Sequence, residues 1–128
     1  MLFGAFAVLL LAAVLGGVLA VPHLRGGTAT PRWGGGVLHG LLGFTGFVAL
    51  LVALAGPPRG EAVGVGGFGS AAAVLLVLAL LAGLAIVVAR LRRRRVPGLL
   101  IGIHATIAVS GVVILAAYAL VGSLSVPG

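Results

Sequence analysis

The 128-residue chain has no cysteine and one acidic residue, Glu61. Without thiols there is no disulfide framework, no thiolate metal site and no thioether-attached cofactor. With a single carboxylate, no acid pair, Ser/His/Asp set or carboxylate metal site can be assembled. Hydrolysis, proton-coupled carboxylate chemistry and ion-coupled transport are therefore disfavoured, and no catalytic residue is assigned. Charge of either sign is scarce, at 7% of residues against 62% hydrophobic, and the mean hydropathy is +1.38. A soluble domain of this size has too few charges to cover such a surface. The composition is that of an integral membrane protein. The formal net charge of +7 does not indicate a nucleic-acid partner, because the basic residues lie in short links between apolar runs.

Four runs reach the roughly 20 apolar residues that a membrane-crossing helix needs. They cover 2–21, 37–55, 68–91 and 99–121. Pro22 and Gly26-Gly27 punctuate the first, Gly56-Pro57-Pro58 the second, and Pro97-Gly98 separates the third from the fourth. Arg25 and Arg32 occupy the first link, and Arg90 with Arg92, Arg93, Arg94 and Arg95 the third. The central link holds Arg59 beside Glu61. The positive-inside rule then places the arginine-rich links in the cytoplasm, with both termini and the central Gly-rich loop outside, in a bacterial inner membrane. The first run lacks the positive n-region of a signal peptide, although Val18-Leu19-Ala20 loosely resembles a cleavage site, and we read it as a retained span.

Sliding the chain by 65 residues aligns its halves without gaps. Phe3-Gly4 falls on Phe68-Gly69, Arg25 on Arg90, His39 on His104, and Thr45-Gly46 on Ser110-Gly111. The expected architecture is an all-α, up-down bundle of four transmembrane helices in one domain, built from two repeated hairpins (3–56 and 68–121). The second and fourth helices then run parallel, sit diagonally across the bundle and carry their histidines at similar depth.

A coordinating side chain within a membrane span is costly and by default functional. From His39, helical periodicity brings Gly43 and Gly46 onto one face; from His104, Ala108 and Gly111. Strips without bulky side chains leave room for a flat macrocycle, and two neutral imidazoles facing each other suit the axial positions of a haem b. His39 and His104 are the expected iron ligands for one haem per chain. Gly43, Gly46, Ala108 and Gly111 would line it, and Arg25, Arg32 and Arg90 would pair with its propionates. The same small residues are also how membrane helices pack closely with no cofactor. Thr45 and Ser110 lie slightly off the strip and are placed to bond either carbonyls of their own helices or a group that supports an axial ligand. His23, with Val88 at the matching position of the second half, reads as interfacial, as do Trp33 and Tyr118.

On these two His-x3-Gly/Ala-x2-Gly strips the chain resembles small bacterial four-helix b-type cytochromes of the cytochrome b561 type. The resemblance implies electron transfer, with quinone as a candidate partner. Members commonly hold two haems through four membrane histidines, whereas this chain places two in its spans, implying one haem at most.

Gly64 to Gly69 fits GxGxxG literally but follows no strand and opens a membrane helix, so it is not read as a nucleotide site. The arginine run 92–95 suits anionic lipid headgroups or serves topology alone. Two other functions stay open. One is a non-catalytic structural or pigment-binding subunit of a larger membrane complex, with chlorophyll-type magnesium or no cofactor. The other is a small homo-oligomeric transporter.

Overall fold

The computed structural model describes residues 1–25, 33–57 and 59–124, with only the backbone of Leu24 and Leu124. Four helices are present: α1 (Leu2–Leu24), α2 (Trp33–Leu54), α3 (Phe68–Leu91) and α4 (Gly98–Leu124). All four are long and apolar enough to cross a membrane, as the hydropathy predicts. A 3-10 turn at Glu61–Val63 lies in the central link, where Gly60 and Gly64 take left-handed φ values of 71° and 77°. No strand occurs among the described residues, so the GxGxxG run has none of the setting a dinucleotide site needs.

Three expected boundaries shift by three or four residues, one of them the end of α4, which runs on from 121 to Leu124. The first helix continues through Pro22 to Leu24, because a proline near a helix end removes one hydrogen bond without preventing the final turn. The second begins at Trp33 and takes in Gly34, Gly35 and Gly36. Each glycine costs a helix about 1 kcal/mol relative to alanine. In hydrocarbon, however, an unpaired backbone N–H costs several times that, so the helix is kept. Helix α3 ends where the N–H of Arg94 bonds the carbonyl of Ala89 and that of Arg93 bonds Arg90. Arg93 occupies the left-handed position of this cap at φ 52°, where glycine is usual.

Helices α1 and α2 form one hairpin and α3 and α4 the other; α1 packs on α4 and α2 on α3. The diagonal pairs, α1 with α3 and α2 with α4, make no close backbone approach among the described residues. The core occupies one end of this bundle. Leu2, Ala5 and Leu9 of α1 meet Leu50 of α2, Ala72 and Leu76 of α3, and Val112, Leu115, Tyr118 and Ala119 of α4. Leu50 and Leu115 are wholly inaccessible.

Lipid tails are as apolar as leucine, so close packing rather than hydrophobic exclusion holds this end together. A Cβ on Gly46 would come within 2.7 Å of Leu9 Cγ, and one on Gly111 within 3.0 Å of Leu76 Cγ. Each glycine is the hole for a leucine of its hairpin partner. Tyr118 is a correction to its expected place in an interfacial belt. It is 5% exposed and its ring packs over Gly69, where a Cβ would lie 3.0 Å from Cε1. The missing side chain at Gly69 makes room for the ring inside the bundle.

Candidate functional site

Both histidines sit in the seventh position of their helices, about 9 Å along the axis from the first residue. His39 Nδ1–H donates to the Ala12 carbonyl of α1 at 2.9 Å, and His104 Nδ1–H to the Ala79 carbonyl of α3 at 2.8 Å. Those carbonyls already accept one bond within their own helices, and each imidazole takes the second lone pair.

Access to a helix carbonyl is normally restricted by the side chain four residues on, which tilts back over it. Here those positions are Gly16 and Gly83. A Cβ at Gly16 would lie 2.7 Å from His39 Cε1, and one at Gly83 would lie 3.2 Å from His104 Cε1. The glycines uncover the carbonyls and seat the rings. With Nδ1 carrying the proton, a neutral imidazole keeps its lone pair on Nε2. No hydrogen-bond partner for either Nε2 is found among the described residues. The two rings approach each other across the diagonal, with centroids 5.9 Å apart and planes crossed at 84°.

Around them lies a cavity of about 430 Å³, within the usual range for small-molecule sites. Its walls come from the second halves of α1 and α3 and the first halves of α2 and α4, the half of the bundle that the core leaves empty. The lining is apolar except for His39, His104, His23, Arg90 and the indole of Trp33.

The residues expected on the cofactor face separate into two groups. Ala108 lines the cavity beside the histidines. Gly43, Gly46 and Gly111 do not; Gly43 faces Leu80 of α3, and the other two receive Leu9 and Leu76. Because these α2 and α4 glycines face neighbouring helices, the clearance beside each ring comes from α1 and α3 instead. Arg90 lines the cavity, whereas Arg25 is exposed outside it and closes α1 through its backbone N–H to Val21. Arg32 lies outside the described residues. Ser110 Oγ–H donates to the Thr106 carbonyl of its own helix at 2.8 Å.

His23, expected to face the interface without a counterpart, lies at the cavity rim and accepts a hydrogen bond from Arg90 Nη2 at 3.2 Å. The reason is register. Matching contacts relate α2 to α4 by 65 residues, but they relate α1 to α3 by 67. On that offset Ala12 pairs with Ala79, Gly16 with Gly83 and Leu9 with Leu76. The link 25–32 is two residues longer than the link 92–97, which accounts for the change. His23 therefore corresponds to Arg90 rather than Val88, and the two equivalent positions touch. A gap-free comparison could not find this. The signal available was the Ala-x3-Gly spacing shared by Ala12/Gly16 and Ala79/Gly83.

Among the described residues no three metal-binding side chains converge. No protein-family model, curated protein or solved structure matches the chain.

Proposed function

We propose that this chain is a membrane b-type cytochrome subunit that holds one haem b between His39 and His104 and takes part in electron transfer. The observation that carries the reading is the placement of the two rings. Their centroids lie 5.9 Å apart across the bundle, close enough for His39 and His104 to hold one group between them. Both rings are also anchored through Nδ1–H, which fixes the tautomer that leaves Nε2 to ligate and raises its basicity.

The donor set fits a six-coordinate iron macrocycle, since the ring supplies four nitrogens and the protein need supply two. A magnesium pigment with one axial ligand would leave the second anchored imidazole without a task. When bound, the haem supplies one-electron redox chemistry. The chain's contribution is to position the imidazoles, exclude water with an apolar wall and meet the propionates with cations at the rim. Arg90 is the rim cation that reaches the cavity.

The cavity lies in the arginine-bearing half of the bundle, the end that the positive-inside rule assigns to the cytoplasmic side of a bacterial inner membrane. A single haem there leaves the packed half of the roughly 30 Å hydrocarbon core without a carrier. The chain therefore exchanges electrons on one side, with a quinone or with another membrane subunit, and does not act alone as a transmembrane wire.

The test is an absorption spectrum of the detergent-purified protein, oxidised and reduced, together with His39→Ala and His104→Ala. A low-spin spectrum that disappears in both variants is expected. A protein that stays colourless when supplied with haem, or one whose spectrum survives both substitutions, refutes the assignment.

A further inference from the structure

The His23–Arg90 contact joins α1 to α3 across the bundle diagonal, at the rim of the cavity and at corresponding positions of the two hairpins. Its hydrogen bonding is lopsided. Arg90 uses one of five N–H donors on His23 Nε2, so in a neutral His23 the proton is on Nδ1. The pair thus presents a spare imidazole N–H and most of a guanidinium fork, with no acceptor found for either among the described residues.

Arg25, Arg92, Arg93, Arg94 and Arg95 add positive charge at the same end. The chain's one acidic side chain, Glu61, lies in the central link at the opposite end, against Gly66. Below the rim the walls are apolar. A planar fork beside a second donor, over an apolar chamber and without a protein anion nearby, is the chemistry that recognises a carboxylate or phosphate on an apolar body.

We propose that His23 and Arg90 form a clamp for one such anionic group, whose apolar body lies in the cavity. The anion has two possible sources, the acid side arms of a porphyrin or the phosphate of an anionic lipid. The clamp acts without iron, so it can be tested apart from axial ligation.

The sole tryptophan, Trp33, lines the cavity and reports occupancy by fluorescence quenching. One arm titrates the protein with metal-free protoporphyrin IX and with its dimethyl ester, which lacks the charges. The other compares phosphatidylglycerol with phosphatidylcholine retained by the protein from mixed nanodiscs, read by native mass spectrometry. In the wild type the anionic form is expected to be preferred about tenfold or more in at least one arm. Arg90→Gln and His23→Ala should each remove that preference. Arg92→Gln, which deletes a charge at the same helix end but away from the cavity, should keep it.

Preference confined to the porphyrin arm assigns the anion to the ring's side arms; preference confined to the lipid arm assigns it to a headgroup. The clamp is overturned if neither arm discriminates, if Arg90→Gln and His23→Ala leave the preference intact, or if Arg92→Gln abolishes it equally. The haem assignment fails on a different result, an iron spectrum independent of His39 and His104.

Discussion

The two ends of this bundle are made from the same four helices and nearly the same residue types, yet they are built oppositely. At the end holding Leu50 and Leu115, Gly46 of α2 and Gly111 of α4 receive Leu9 of α1 and Leu76 of α3, and the interior closes. At the other end glycines on α1 and α3 receive histidines from α2 and α4, and the interior stays open as a cavity. The same device, a hole on one helix for a side chain on its hairpin partner, serves packing in one place and side-chain positioning in the other. What differs is the knob. A leucine fills its hole and continues into the core, whereas an imidazole satisfies Nδ1 on a carbonyl and leaves Nε2 uncommitted.

Breaking each end should therefore give different losses. The largest is at the open end, where His39→Ala or His104→Ala is expected to abolish the low-spin haem spectrum. Helical content by circular dichroism should survive, since the core lies elsewhere. At the packed end Leu50→Ala and Leu115→Ala should each cost about 2–5 kcal/mol of stability, measured by thermal or denaturant unfolding of the apoprotein. The spectrum of the folded fraction should stay in place. A Leu50→Ala protein that unfolds normally but loses haem would show that the two ends are not separable.

Glycine substitutions sharpen the contrast. Gly46→Ala and Gly16→Ala both insert a methyl 2.7 Å from an existing atom, and such overpacking typically costs 1–3 kcal/mol. Gly46→Ala is expected to lower the melting temperature of the apoprotein. Gly16→Ala should instead weaken haem binding about tenfold, with Gly83→Ala milder because its clearance is 3.2 Å. Equal effects of Gly16→Ala and Gly46→Ala on apoprotein melting would remove the distinction. The smallest effect concerns neither end of the interior. Arg93→Gly relieves a left-handed φ at the cap of α3 and should stabilise the protein by about 1 kcal/mol in the same melts.

The site was only partly legible in the sequence. His39 and His104 stood out because imidazoles are rare in membrane spans, and their shared register implied that they belong together. Gly43, Gly46 and Gly111 were chosen because they share a helical face with a histidine. A face, however, says nothing about which neighbour it meets, and these three meet α1 and α3. Gly16 and Gly83 are marked only by the Ala-x3-Gly spacing they share with Ala12 and Ala79, which appears at an offset of 67 and is hidden in the gap-free alignment at 65. Tyr118 likewise passes for an interfacial anchor until Gly69 is seen opposite it.

Composition and hydropathy determined by themselves that four helices form, each long and apolar enough to span, because hydrocarbon leaves an apolar backbone segment no better option than an internally bonded helix. Arginine spacing, through the positive-inside rule, raised the expectation that the first and third links face the cytoplasm. Tertiary structure alone decided which end of the bundle is filled and that α1 and α3 correspond by 67 residues rather than 65. It alone brought His23 to Arg90 and set the imidazoles 5.9 Å apart. The physical reason is that these facts depend on where one helix's hole meets another's side chain. That meeting is fixed by link length and packing across the bundle, neither of which local periodicity contains.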